Sequence, residues 1–170
     1  KYLRTNGVEL DYISIQNEPD EKAQYAGCIW SPVQISTFVK NFGDLIDCKI
    51  MASESVGISD SYANAFLADE VLPHFDLYAG HQYGCIGNTY KQFRAKGKNI
   101  WMTEFLINWN NGTTRDFSWN LDAFNFATSI NNCMLGDVSA WIHYATKRYY
   151  GLMGDGTNGI AAGEITKRGY

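Results

Sequence analysis

Two glutamates follow apolar segments and have the chemistry of an acid and a nucleophile. Glu18 follows "YISIQN", and Glu104 follows "IWMT". When two carboxyl groups face each other across a glycosidic bond, one protonates the leaving oxygen. The other attacks the sugar carbon or activates water. The elements that carry Glu18 and Glu104 decide whether such a pair forms.

Short apolar segments with β-branched residues alternate with longer segments of helical periodicity. We predict strands at Leu10–Gln16, Lys49–Ser53, Leu77–His81, Asn99–Thr103 and Ser139–Tyr144. The predicted helices begin after Ser31, run over Ser61–Leu72 and Thr89–Ala95, and span Ser118–Leu135. Ser31-Pro32 places an N-cap before a proline, and Lys96-Gly97 is typical of a helix end.

Repeated strand–helix units predict a parallel sheet covered by helices, either an open doubly wound sheet or an eight-stranded barrel. The sequence lacks both G-x-G-x-x-G and G-x-x-x-x-G-K-[ST], the signatures of nucleotide-binding sheets. A full barrel needs about 250 residues. The 170 residues with five strands would be a barrel without its first three units.

In such folds the chemistry lies at the carboxyl ends of the strands. The predicted strand ends carry Asn17, Glu18, Glu54, His81, Tyr83, Glu104 and Tyr144, followed by Lys147, Arg148 and Tyr150. A single strand-end glutamate is more often a helix-cap partner or a salt bridge, which is the interpretation favoured for Glu54 alone. Glu18 and Glu104 together favour catalysis.

Composition and residue spacing argue against several other classes of protein. The net charge is −4 and the largest basic cluster is Lys147-Arg148, which argues against nucleic-acid binding. No apolar run is long enough to span a membrane. The four cysteines have no Cys-x-x-Cys spacing and the histidines have no neighbouring ligand, so we expect no metal site and no cofactor. Free thiols are the default, and a Cys28–Cys85 pair is the alternative.

The stretches "ISIQNEPD" and "WMTEF", in this order, resemble glycoside hydrolase family 30, and its xylanase and glucuronoxylanase branch most closely. Supporting stretches are "GCIWSP", "AGHQYG", "KRYYG" and "ITKRGY". The resemblance implies a (β/α)8 TIM barrel. Residues 1–170 would form the C-terminal part of the catalytic barrel, about strands 4 to 8. The missing strands would come from the rest of the polypeptide or from a partner chain.

The resemblance implies a secreted, retaining endo-β-1,4-xylanase that hydrolyses xylan or glucuronoxylan. Glu18 would be the acid/base and Glu104 the nucleophile, and Asn17 would bind the sugar 2-hydroxyl. His81 would orient the region of the nucleophile through hydrogen bonds. Further expected substrate contacts are Tyr25, Trp30, Tyr83, Trp109, Tyr144, Arg148 and Tyr150. Packing at the barrel mouth is the alternative for Tyr25, Trp30, Tyr83 and Tyr144.

Three features bear on the glucuronate side group. Arg148 and Tyr150 match the Arg and Tyr of the family's Arg-Arg-Ser-Tyr-Gly clamp. Trp109 replaces a serine that contacts the same group, and Glu21 replaces a tryptophan. These departures weigh against strict dependence on glucuronate. The alternatives are a β-glucosidase or endo-β-1,6-glucanase of the same family, a non-catalytic carbohydrate-binding barrel, and a hydrolase using Ser53 or Ser55 with His81.

Overall fold

The computed structural model describes residues 2–84, 86–108 and 117–170. The chain divides into two compact units, Lys1–Thr103 and Glu104–Tyr170. Trp109, an expected substrate contact, and Cys85, which the alternative disulfide pair would involve, lie outside the described residues.

The first unit alternates strands and helices as predicted. Its strands are β1 (Tyr12–Ser14), β2 (Lys49–Ser55), β3 (Leu77–His81) and β4 (Asn99–Phe105), whose last two residues belong to the second unit. Its helices are α1 (Tyr2–Thr5), α2 (Pro32–Phe42), α3 (Asp60–Phe66) and α4 (Gln92–Ala95). Short 3-10 turns lie at Gly43–Leu45, Leu72–His74 and Thr89–Lys91.

The strands of the first unit are hydrogen-bonded neighbours in chain order. β1 pairs with β2 in parallel, with Tyr12 opposite Lys49. β2 pairs with β3 in parallel, with Met51 opposite Leu77. Parallel strands joined by helical crossovers are the βα arrangement that the sequence pattern predicted, and they bring their carboxyl ends to one edge of the sheet.

α2 shows why these residues start a helix where they do. The Ser31 hydroxyl accepts the Gln34 N–H, and the Gln34 side chain accepts the Ser31 N–H, which forms a capping box. Pro32 occupies the first turn, where its missing N–H costs nothing. Ile35 and Val39, four residues apart, are the apolar side chains that this helix buries.

Several predicted boundaries were wrong. α3 ends at Phe66 instead of continuing to Leu72, because Val71 and Leu72 turn back to donate to the Ala68 carbonyl. β1 covers only Tyr12–Ser14, because the chain leaves the ladder before the Asn17-Glu18 turn.

Aromatic side chains fill the core of the first unit. Tyr78 stacks on Phe93 with ring centroids 4.2 Å apart, and Phe75 packs edge-on against Phe66 and Phe93. Tyr78 and Phe93 are completely buried. Part of the aromatic content therefore belongs to the core and is not available to stack on a sugar.

The second unit is smaller and is organised around one helix. A π-helical turn (Trp119–Ala123) leads into α5 (Phe124–Leu135), which precedes β5 (Ala140–His143). Ser118 caps the π turn by accepting the Leu121 N–H. Arg168 is buried and donates to Asp122 and to the carbonyls of Tyr150 and Ile107, so one ion pair joins several loops of this unit.

One apolar surface of the first unit is exposed. Tyr2, Val8, Leu10 and Ile13 are each more than a third exposed and help to line a cavity of about 310 Å³ beside β1. Large exposed apolar patches are common at sites where a protein contacts other chain segments or partners. Within the described residues, no helix is long and apolar enough to cross a membrane. Cys28, Cys48 and Cys133 are free thiols.

Candidate active site

Glu18 lies just after β1 with a backbone angle that few glutamates adopt. Its φ is +46°, in the left-handed region, and its N–H donates to the Glu54 carbonyl at 2.9 Å. The next residue, Pro19, is buried, and its carbonyl accepts the Trp30 N–H. Such strained backbone persists only where the surroundings fix it, and it clusters at functional sites. The sharp turn fixes the direction of the Glu18 side chain.

Glu54 also has a left-handed backbone, with φ +62°, and it is the extra residue of a bulge in β2. Ser53 pairs with Ala79 and Ser55 pairs with Gly80, so Glu54 has no partner residue on β3. A bulge adds one residue to a strand and re-aims its side chain. The Glu54 side chain is 6% exposed, which makes it a buried carboxyl group.

His81, the last residue of β3, lies between these two glutamates. Its Nδ1 is 2.9 Å from Glu18 Oε1, and its Nε2 is 3.0 Å from Glu54 Oε2. The Thr103 hydroxyl donates to the same Glu54 oxygen at 2.7 Å. A neutral imidazole has one N–H, so two contacts to carboxyl oxygens require either an imidazolium or a protonated carboxyl group. The cluster therefore holds at least one proton more than the single N–H of a neutral imidazole.

Tyr25 contacts the other oxygen of Glu18. Its hydroxyl donates to Glu18 Oε2 at 2.9 Å and accepts from Asn17 Nδ2 at 3.3 Å. Tyr25 is 58% exposed. An exposed aromatic face beside a carboxyl oxygen suits a flat, weakly polar ligand, as the sequence predicted for Tyr25 and Asn17.

The loop that carries Tyr25 is anchored at its far end by Tyr62. The Tyr62 hydroxyl donates to the Trp30 carbonyl at 2.6 Å, and burial raises the pKa of this hydroxyl to about 12. The group therefore remains a donor across the physiological range. Trp30, predicted as a sugar contact, packs edge-on against Phe38 with centroids 5.6 Å apart.

Tyr83 follows β3 and is half-buried. Its N–H donates to the Val56 carbonyl at 2.9 Å, and its ring packs edge-on to His81 with centroids 6.0 Å apart. The Val56 N–H in turn donates to Asp20 Oδ1. These backbone contacts join the loops after β1, β2 and β3 around His81.

The second unit carries the remaining predicted residues that the structure describes. Glu104 lies in β4 and is half-buried, and Tyr144 follows β5, where its N–H donates to the Phe105 carbonyl. Arg148 is exposed, and its N–H donates to the Met153 carbonyl. Burial raises the pKa of Tyr150, although the Arg148 charge opposes that shift.

The sequence interpretation placed Glu54 at a strand end but assigned it no catalytic or binding role, and it did not name Thr103. It had favoured a salt bridge or a cap for Glu54 alone, and the ion-pair contact with His81 fits that interpretation. The sequence does contain a feature that marks Glu54, because this residue follows a predicted apolar strand as Glu18 and Glu104 do. Ser53 and Ser55, considered as nucleophiles with His81, are buried beside each other, and Ser55 donates to the Gly57 carbonyl. Their hydroxyls are therefore committed to the structure.

Comparison with known proteins defines the class. No family model matches the chain. Glucuronoxylanase XynC of Bacillus subtilis (strain 168) is 31% identical over 175 residues, covering 99% of this chain. A GH30 endoxylanase from Clostridium papyrosolvens is 30% identical over 99% of the chain, with a TM-score of 0.79.

A second solved structure, the glycoside hydrolase family 30 subfamily 8 xylanase Xyn30A from Clostridium acetobutylicum, matches 98% of the chain at 30% identity with a TM-score of 0.81. The predicted fold class, part of a (β/α)8 barrel, is confirmed by these neighbours. The resemblance of the chain to the xylanase branch of glycoside hydrolase family 30 is confirmed. It spans 39% of XynC and 41% of each solved structure.

Proposed function

We propose that this chain forms part of a retaining endo-β-1,4-xylanase, with Glu18 as the acid/base and Glu104 as the nucleophile. The observation that carries the proposal is the setting of Glu18. It lies on a strained turn after β1, and His81 and Tyr25 contact its two oxygens. Relatives named glucuronoxylanase and GH30 xylanase match nearly the whole chain.

In the first step Glu18 gives its proton to the leaving glycosidic oxygen while Glu104 attacks the anomeric carbon. The C–O bond breaks, and its electron pair stays on the oxygen. In the second step Glu18 takes a proton from water, and the water oxygen displaces Glu104 from the sugar. Asn17 would bind the sugar 2-hydroxyl, a contact that strengthens in the transition state. No cofactor takes part.

The mechanism requires two further features. The two carboxyl groups should lie about 5–5.5 Å apart in the complete enzyme, because a direct nucleophile leaves no room for water between. The pH profile of kcat/KM should be bell-shaped, because Glu18 must be protonated while Glu104 is ionised. A crystal structure and a profile from pH 4 to 8 check these two points, and a flat profile would contradict the pair.

We also propose that the exposed apolar surface beside β1 packs against the remaining barrel strands. These would come from the same polypeptide or from a partner chain. Unpaired strand edges invite aggregation, and a barrel removes them. Residues 1–170 expressed alone should lack a cooperative thermal transition, whereas the complete polypeptide should show one. A soluble monomer with sharp unfolding would refute this proposal.

Because xylan is a polymer outside the reach of cytoplasmic enzymes, we propose that the protein is secreted.

A panel of polysaccharides tests the activity. The complete polypeptide should release short xylo-oligosaccharides from xylan and glucuronoxylan, and little from β-1,6-glucan or an aryl β-glucoside. Release of glucose from either glucose-based substrate would favour the β-1,6-glucanase or β-glucosidase alternative. Binding to xylan without any product would favour a non-catalytic barrel.

A further inference from the structure

We propose that Glu54 is a positioning residue for the acid/base step. It holds His81 with a proton on Nε2, so that His81 Nδ1 and Glu18 Oε1 share one proton during the reaction. This inference rests on the proposed role of Glu18 and adds a residue to it. Glu54 acts through His81, with which its own side chain is in contact.

The contacts of Glu54 determine which nitrogen of His81 carries the proton. Glu54 Oε2 accepts from the Thr103 hydroxyl at 2.7 Å and lies 3.0 Å from His81 Nε2. An ionised carboxylate has acceptors only, and the Thr103 hydroxyl already donates to this oxygen. The nitrogen facing it must then be the donor. Carboxylates fix the tautomer of histidines in the same way next to metal ions.

With Nε2 protonated, the remaining proton lies between His81 Nδ1 and Glu18 Oε1, which are 2.9 Å apart. The pair is either a carboxyl group beside a neutral imidazole or a carboxylate beside an imidazolium. In the first chemical step this proton leaves with the sugar oxygen. In the second step a proton from water replaces it, so the cycle is balanced and needs no other reactant.

Burial of the cluster strengthens the effect of the Glu54 charge on the protonation of His81. The side chains of His81 and Glu54 are 1% and 6% exposed. A buried charge is costly unless it is paired, so the Glu54 carboxylate and a proton on His81 stabilise each other. The bulge and the left-handed backbone at Glu54 hold this carboxylate under the histidine despite their local cost.

Other titratable groups of the first unit face the same cluster. Tyr25 donates to Glu18 Oε2, and the Tyr83 ring packs edge-on to His81. Asp20 accepts the Val56 N–H beside the end of β2. Glu104, the first residue of the second unit, follows Thr103 in the chain. All of these remain when Glu54 alone is changed, so they cancel in a comparison of variants.

The first test is the pH profile of kcat/KM for Glu54→Gln in the complete polypeptide, with glucuronoxylan as substrate. Glutamine keeps the shape and an acceptor oxygen but removes the charge. Loss of a nearby negative charge disfavours the protonated form of the Glu18–His81 pair. The basic limb of the profile should therefore move to lower pH by about one unit.

Glu54→Asp keeps the charge and should bring the basic limb back towards that of the wild type. Glu70→Gln is the matched control, because it removes the same charge at an exposed position before the turn that enters β3. Its limbs should not move. If the basic limb of the Glu54→Gln profile does not move, the proposal is overturned. Loss of folded enzyme cannot imitate the expected shift, because it lowers the activity equally at every pH.

A second measurement needs no activity. The ¹⁵N signals of His81 in the wild type, assigned with His81→Gln, report which ring nitrogen is protonated. A proton on Nε2 supports the proposal, and a neutral ring protonated only at Nδ1 overturns it. If no polysaccharide is cleaved, the proposed function fails while the spectrum still decides the role of Glu54.

Discussion

The surroundings of Glu18 and those of Arg148 differ in how their side chains are held. In the first unit Glu18, His81 and Glu54 are joined by side-chain hydrogen bonds of 2.9–3.0 Å, and two of the three are buried. In the second unit the segment 147–151, which we call the clamp segment, is held mainly by its backbone. Its Arg148 side chain is exposed.

This difference fits the two roles that we propose for these residues. Proton transfer requires atoms fixed within hydrogen-bond reach, so the residues around Glu18 need side-chain partners and burial. Recognition of a charged side group suits a long arginine that reaches into solvent, because its planar fork finds a carboxylate without being buried beforehand. The comparison predicts that changes near Glu18 alter rate and that changes in the clamp segment alter preference.

The largest effect should come from removing either proposed catalytic carboxyl group. Glu18→Gln and Glu104→Gln should each lower kcat/KM on xylan by about 10²–10⁴-fold, the range that a positioned acid or base contributes. Azide should restore Glu104→Ala with an inverted glycosyl azide, and Glu18→Ala with a retained one. Near-normal turnover by either glutamine variant would remove the assignment and the comparison with it.

Gly151→Ala should distort the clamp segment. An added Cβ would lie 2.5 Å from the Thr146 carbonyl oxygen and 2.7 Å from the Arg148 nitrogen, both of which are backbone atoms. Forcing a methyl group into such a space costs about 1–3 kcal/mol. The unfolding temperature should fall, and the preference for decorated xylan should change. Gly159→Ala, where space is open but φ is +78°, serves as a control for backbone strain alone.

Arg148→Ala should change substrate preference more than rate. If Arg148 binds the glucuronate group, the ratio of activity on decorated to undecorated xylan should fall by about tenfold, which corresponds to about 1.4 kcal/mol. Lys147→Ala, also exposed, is the neighbouring control. An unchanged ratio would make Arg148 a structural residue of the loop. Glu21→Trp should increase the same ratio if its charge opposes the glucuronate.

The smallest effect should come from Asp60, the first residue of α3. Hydrogen bonds from Thr89, and then from the Asn88 N–H, hold its pKa below the ordinary value of 3.8. A carboxyl group with a lowered pKa stabilises the fold above pH 3.8, and this stabilisation is lost as the pH falls through its folded value. Asp60→Asn should therefore flatten acid unfolding slightly in this range without moving the catalytic pH profile.

Much of the fold could be predicted because periodicity and capping are local. The Ser31 cap, the Gly97 helix end and the β3 bounds were predicted from a few neighbouring residues, and the structure has them. The predicted length of α3 was wrong, because the residues after Phe66 fold into a turn that no local sequence pattern indicates.

The sequence by itself determined which glutamates follow apolar strands, because strand composition and the Asn17-Glu18-Pro19 turn are properties of adjacent residues. Only the tertiary structure decided that Glu54 joins Glu18 through His81. That contact depends on a bulge in β2, which displaces one side chain relative to its neighbour strand. The register of two strands is set by packing between residues far apart in the chain, so no window of sequence contains it.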